Sequence, residues 1–194
     1  PQDIIGFQEI IWKIKPDLII ETGVARGGSL IFLASILELI GKGNVLGIEI
    51  KLRHHNETAI KKHPMYKRIK ILKGSSTDPK NLEKVKKIAK NNKKILVILD
   101  SDHTKKHVLE ELNLYSQFVS KNSYIIVCDT IIQDFPKNWF SNNGIDRPWN
   151  KLNNPKTAVW EFLKQNDRFK IDKFIENKLL VTTSPDGFLK CIKD

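Results

Sequence analysis

The sequence predicts an α/β fold with a mostly parallel sheet and helices on both faces, and three observations carry that prediction. Short apolar runs alternate with helix-period stretches along most of the chain. The run at 95–99, Ile-Leu-Val-Ile-Leu, is continuously apolar, as a strand covered on both faces must be. Glycines, hydroxyls and acids follow the runs, where an open parallel sheet places its ligands.

The elements follow in order. Residues 4–14 read as a helix with Ile4, Ile5, Phe7, Ile11 and Trp12 as apolar positions, ended by Pro16. A buried strand at 18–21 leads through a glycine-rich loop into a helix at 29–40, closed by Gly41 and Gly43. A strand at 45–50 precedes a helix at 57–63, stopped by Pro64. A strand at 69–72 ends in the turn Gly-Ser-Ser-Thr-Asp-Pro, before a Lys-rich amphipathic helix at 81–90. The strand at 95–99, a helix at 108–119 and a strand at 124–127 come next. Residues 131–154 break the pattern with Asn, Pro and Trp; irregular stretches of that length serve as lids or binding loops. Trp139 and Trp149 in this stretch suit either closure over a substrate or packing against the sheet edge. A helix at 157–165 and strands at 169–174 and 179–183 complete the reading. With no long helix between them, the last two strands form a reversed pair, since a parallel crossover needs about a dozen residues or more.

A length of 194 residues suits one domain over 1–194, and a 40% hydrophobic content suffices for its core. No apolar run reaches the roughly 18 to 20 residues of a membrane helix. No signal peptide is visible, and the start at Pro1 without Met fits a chain truncated at its N-terminus. The two cysteines, Cys128 and Cys191, form no C-x-x-C or Cys/His cluster; this argues against structural zinc and fits a reducing, cytoplasmic setting. The net charge of +11 raises nucleic acid, anionic surfaces and acidic substrates as partners. The lysines are dispersed, and no nucleic-acid-binding motif accompanies them, so solubility is the preferred reading and nucleic acid is disfavoured.

The loop Glu-Thr-Gly-Val-Ala-Arg-Gly-Gly-Ser, residues 21–29, is the informative segment. Its G-x-x-x-G-G spacing is neither the dinucleotide fingerprint nor a P-loop. Gly23 permits a sharp turn, Gly27 and Gly28 leave room beside the backbone, and Ser29 is placed to cap the following helix. Such a loop suits a ligand that wants close backbone contact without a phosphate clamp, as S-adenosylmethionine does. Glu49, at the end of the second strand, can accept ribose hydroxyls, and Ser75 and Ser76 can meet an adenine edge. Taken alone, each of these segments also reads as an ordinary turn or strand end.

Asp100, Asp102 and His103 follow the fourth strand, and Cys128, Asp129 and Thr130 follow the fifth, on the same sheet edge. Carboxylates converging there suit Mg2+. His103, three residues beyond Asp100, is placed to take a proton from a substrate hydroxyl; His107 reads as a surface residue.

These segments, P-D-L-I-I-E-T-G-V-A-R-G-G-S-L, G-S-S-T-D-P, L-V-I-L-D-S-D-H-T, D-R-P-W and N-N-P-K-T-A-V-W-E-F, together resemble the cephalosporin hydroxylase and rhamnosyl O-methyltransferase family along nearly the whole chain. The resemblance implies a Rossmann-like class I methyltransferase fold: a mostly parallel seven-stranded sheet with a reversed C-terminal strand. It implies an S-adenosylmethionine site over Glu21, Gly23, Ala25, Gly27, Gly28, Ser29, Glu49, Ser75, Ser76 and Asp100. It further implies Mg2+ at Asp100 and the Cys128–Asp129 pair, with His103 as base by analogy to the catechol-type lysine. The family carries Glu-Asp where this chain has Cys128-Asp129, and a thiol in place of a hard oxygen should weaken Mg2+ binding, with Asp102 a candidate to compensate. The acceptor implied is a small hydroxylated molecule such as a sugar or natural product, and homo-oligomers are expected. Two other readings stand beside this one: an accessory to an oxygenase system, for which no iron, haem or flavin motif is present, and a non-enzymatic basic binding protein.

Overall fold

In a computed structural model, which describes residues 2–194, the alternating pattern becomes a seven-stranded sheet in the order β3-β2-β1-β4-β5-β7-β6. The strands are β1 (Leu18–Thr22), β2 (Asn44–Glu49), β3 (Ile69–Lys73), β4 (Ile95–Leu99), β5 (Tyr124–Val127), β6 (Phe169–Ile171) and β7 (Phe188–Cys191). The first five are mutually parallel, and β7 runs antiparallel to both β5 and β6. The reversed strand expected from the sequence is therefore present, inserted between its neighbours.

The helices are α1 (Gln2–Ile14), α2 (Gly28–Ile40), α3 (His54–Lys62), α4 (Pro79–Ala89), α5 (Lys105–Tyr115), α6 (Trp139–Asn142), α7 (Pro155–Gln165) and α8 (Lys173–Leu179). One apolar layer joins α4, α5 and α7 to the sheet through Val85, Leu112, Tyr115, Val159 and Phe162. The other joins α1, α2, α3 and α8 through Ile10, Ile11, Leu30, Leu37, Ile60 and Ile175. The central strands β1, β4 and β5 are buried at every position, which is why β4 and β5 read as unbroken apolar runs and β1 does so up to Glu21. No described helix is long and apolar enough to cross a membrane.

Three expectations need correction. The first concerns the last strand. Residues 173–179 form α8, and the β-branched run at 179–183 is a turn in which Leu180 and Val181 are exposed. The strand is Phe188–Cys191, because Phe188, Leu189 and Cys191 can be buried completely there. Gly187 admits it: a Cβ at this position would lie 2.2 Å from the Val127 carbonyl oxygen. The second concerns α1, whose buried residues are Gly6, Ile10, Ile11 and Ile14, while Ile4, Ile5 and Trp12 stay exposed. The third concerns Ser29, which caps nothing. Gly27, at φ 84°, is the N-cap of α2 and makes no side-chain cap.

Two loop glycines are required by the protein's own packing. A Cβ on Gly23 (φ 85°) would sit 2.0 Å from the Asp100 carbonyl oxygen, where the β1 and β4 exits nearly touch. A Cβ on Gly27 would meet the Ile60 side chain at 2.3 Å, whereas one on Gly28 would meet nothing within 4 Å. Gly23→Ala should therefore cost about 3 kcal/mol or more of stability, combining backbone strain with overpacking. Gly28→Ala should cost well under half of that in the same denaturant titration.

Candidate active site

The carboxyl ends of β1 to β4 enclose a cavity of about 320 Å3, lined by Gly23, Ile48, Glu49, Ile50, Ser75, Ser76, Ser101, Asp102 and His107. Glu49 organises one wall. Its Oε2 accepts the backbone N–H groups of Val24 and Ala25, both at 2.9 Å, and its Oε1 accepts that of Lys51 at 2.9 Å. Burial raises the pKa of this carboxyl, but the N–H groups of Lys51, Ala25 and Val24 outweigh it, so Glu49 is held ionised below its usual range. Each oxygen keeps a further lone-pair direction open. Ile50 stands 74% exposed beside it, an apolar surface without a protein partner.

The opposite wall is a network that links three elements. Ser76 Oγ lies 3.2 Å from His107 Nε2, and the Tyr115 hydroxyl donates to the Ser76 carbonyl at 2.7 Å. Ser101 Oγ donates to Glu111 Oε1 at 2.8 Å, and Glu111 is fully buried. Hydrogen bonding to Glu111, opposed by burial, raises the His107 pKa. His107 was expected at the surface, yet it lines the cavity. The signal that could have placed it is its i,i+4 spacing from Glu111 on α5.

The other residues predicted to bind the cofactor are distributed around this cavity. Ala25, Gly27, Gly28 and Ser29 sit on the loop and at the start of α2, beside the lining rather than in it. Glu21 is only 1% exposed, and its Oε2 has no hydrogen-bond partner. Burial, with the Asp100 charge adding to it and the Ser29 hydroxyl opposing it, pushes its pKa up to about 8. It is a neutral acid beneath the loop.

Next to this cavity, Asp100, His103 and Asp129 present ligand atoms within 4.8 Å of one another. His103 Nε2 lies 3.1 Å from Asp129 Oδ2. Asp129 has a positive φ of 54°, which turns it out of β5 toward His103. Desolvation and then the Asp129 charge raise the Asp100 pKa to about 6, although one side of Asp100 opens to the cleft. Burial lowers the His103 pKa, but the carboxylates of Asp129, Asp100 and Asp102 carry the net shift upward. Cys128, by contrast, is not in this group. Burial, followed by the neighbouring acids, drives its thiol well above its ordinary value, so it stays protonated and is a poor metal ligand. Asp102 does not replace it: its Oδ1 accepts the Thr104 N–H at 2.7 Å, and it faces the first cavity.

On the far side of His103 and Asp129 lies a second cavity of about 430 Å3, walled by Ile131, Phe135, Phe140, Ile145, Arg147 and Trp149 among others. The Trp149 ring meets His103 edge-on at 5.0 Å, and Arg147 lies 5.3 Å from the Trp149 centroid. Trp139 stacks on Phe135 at 4.2 Å. The loop is tied down from outside, where Asn153 Oδ1 accepts the Lys105 N–H at 2.8 Å and Asn154 forms a capping box with Thr157 on α7.

A sequence profile of the Rhamnosyl O-methyltransferase/CmcI family matches residues 1–192. The chain belongs to this family. It is an S-adenosylmethionine-dependent methyltransferase. The rhamnosyl O-methyltransferase of Mycobacterium tuberculosis H37Rv is 32% identical over 189 residues, covering 96% of this chain and 72% of that protein. That of Mycobacterium leprae is 32% identical over 136 residues, covering 69% and 57%. Among solved structures, a CmcI with Mg and SAM aligns over 100% of this chain and 72% of its own, at TM-score 0.64 and 17% identity. The MycE methyltransferase with Mg, SAH and mycinamycin VI aligns over 82% and 38%, at TM-score 0.52 and 18% identity. At these identities the structures establish the family fold.

Burial of Glu21 makes stability depend on pH. Its folded pKa lies above the ordinary 4.5, so its contribution is full below about 4.5, declines as the pH rises, and is gone above about 8. Denaturant titrations from pH 5 to 8 should show Glu21→Gln losing less stability over that range than the parent, by roughly a few kcal/mol. Equal slopes would mean that Glu21 is not held neutral.

Proposed function

We propose that the chain, acting as a single catalytic domain, transfers a methyl group from S-adenosylmethionine to a hydroxyl of a small molecule such as a sugar or natural product. The observation that carries this reading is the placing of Asp100, His103 and Asp129 between two cavities of different character. The first has the lining a nucleoside needs: a carboxylate with spare lone pairs, an exposed isoleucine and paired hydroxyls. The second is apolar and aromatic, suited to a ring stacked against Phe140 or Trp149.

In this proposal Glu49 accepts the ribose hydroxyls while still holding the loop, Ile50 covers one face of the adenine, and Ser75 and Ser76 meet its edge. Gly23, Ala25, Gly27, Gly28 and Ser29 shape the backbone beside the amino-acid end, and Glu21 supports the loop from below. S-adenosylmethionine supplies an electrophilic methyl on a sulfonium, and a divalent cation such as Mg2+ would supply positive charge to the acceptor oxygen. Asp100 and Asp129 fit such a cation, because their carboxylate oxygens come within 4.8 Å of one another and, among the described residues, only His103 pairs with either of them. Cys128 does not contribute.

The base is His103. Its contact with Asp129 assigns the proton to Nε2 and leaves Nδ1 as the acceptor. Asp129 fixes the ring and stabilises its charged form, while Trp149 packs against the ring and limits water. The remaining acceleration comes from holding two bound molecules in line.

His103→Asn should lower kcat by roughly 10^2- to 10^4-fold, the range of a positioned general base. Affinity for S-adenosylhomocysteine, measured calorimetrically, should change by no more than about threefold, since His103 is not part of the first cavity's lining. A rate within twofold of the parent would remove His103 from the chemistry. Methyl transfer unchanged after exhaustive chelation would remove the metal but leave the His103–Asp129 pair in place.

A further inference from the structure

We propose a second ligand site at the opposite end of the sheet, for a phosphate-type oxyanion. A cavity of about 240 Å3 opens where β4 and β5 begin, a full strand length, roughly 15 Å, from the acid cluster at the other ends of these strands. Lys13 of α1, Lys94 before β4, Lys121 before β5 and Lys190 of β7 all line it, and no acidic residue does. Four segments distant in sequence thus bring four lysines to one hollow.

Their charge is largely uncompensated. Lys13 and Lys190 make no ion pair among the described residues. Lys94 Nζ reaches only the Ile14 carbonyl, at 3.4 Å. Lys121 pairs with Asp194 at 3.1 Å, with the aspartate side chain 83% exposed. Asp17, whose Oδ2 accepts the Lys94 N–H, has its other oxygen engaged by Lys42 Nζ at 2.7 Å. Like charges gathered this way repel one another unless an anion joins them.

A second, independent feature points to the same occupant. Ser123 lines the cavity, is 1% exposed, and its Oγ makes no hydrogen bond to protein. Its neighbour Ser120 is fully used, donating to Lys93 O at 2.7 Å and accepting the Ile95 N–H at 2.9 Å. A buried, unpartnered hydroxyl in the wall of a hollow lined by four lysines is a donor that an oxyanion reaches once the wall yields to it. Lysines, as compact point charges, suit a multiply charged phosphate better than a planar carboxylate, which favours the arginine fork. At about 30 Å3 per water, the cavity has room for such a group with part of its hydration shell. The phosphate can belong to a free small molecule or to a lipid headgroup.

The test uses the whole chain at low ionic strength. Inorganic phosphate and pyrophosphate are titrated calorimetrically, and in a parallel arm the protein is sedimented with phosphatidylcholine vesicles with and without phosphatidylglycerol. Each arm compares the parent, Lys13→Gln/Lys190→Gln, and a control pair, Lys61→Gln/Lys62→Gln, on α3. The expected result is pyrophosphate binding that falls roughly tenfold in the first double variant and changes little in the control. Binding of free anions identifies a soluble phosphate as the occupant; binding confined to phosphatidylglycerol vesicles, with the same dependence on Lys13 and Lys190, identifies a headgroup. No binding in either arm, or equal losses in the two double variants, overturns the site and reduces it to diffuse surface charge.

Discussion

The Glu49 carboxylate is the interaction on which the site depends. One side chain at the end of β2 holds three backbone N–H groups, two of them from the loop after β1. Without it, the loop would carry unpaired donors at the mouth of a cavity, each costing about 1–3 kcal/mol if buried. With it, the loop is fixed against β2 while the Gly23 turn fixes it against β4. The cavity proposed for the nucleoside is the space these two restraints leave. Glu49 therefore shapes the cavity and presents an ionised acceptor inside it.

The second organising feature is an unbalanced charge. The chain is strongly basic overall, yet its cleft gathers Asp100, Asp102 and Asp129 around one imidazole. Desolvation and mutual repulsion raise Asp100, and the acids together raise His103. Such a cluster is costly for folding and useful for proton transfer or cation binding. Cys128 adjoins this cluster without joining it. Half-buried beside Asp100 and Asp129, its thiol is held well above its ordinary pKa and adds no charge to the cleft, so His103 is the group that faces Asp129.

Much of this was legible from the sequence, because the signals were local. The parallel strands announced themselves as apolar runs, the loop as glycines, and the acid cluster as residues just past two strand ends. What failed depended on contacts made at long range. The run at 179–183 has the composition of a strand, but the place beside β5 goes to Phe188–Cys191, which only Gly187 allows past Val127. His107 looked like a surface residue because its partners, Ser76 and Glu111, come from a distant loop and from the next helical turn. Gly27 looked like space for a ligand, but α3 fills it with Ile60. The family resemblance implies a metal set of Asp100, Cys128 and Asp129; the αL turn at Asp129 instead groups it with Asp100 and His103 and leaves Cys128 out.

The central claim is that the Glu49 cavity is a nucleoside site, and binding tests it without knowledge of the acceptor. Titration of S-adenosylhomocysteine into the folded protein by calorimetry is the direct measurement. The account predicts saturable one-to-one binding with a Kd on the micromolar scale, about −8 kcal/mol. No detectable heat at millimolar ligand, with the protein shown by circular dichroism to be folded, would contradict it.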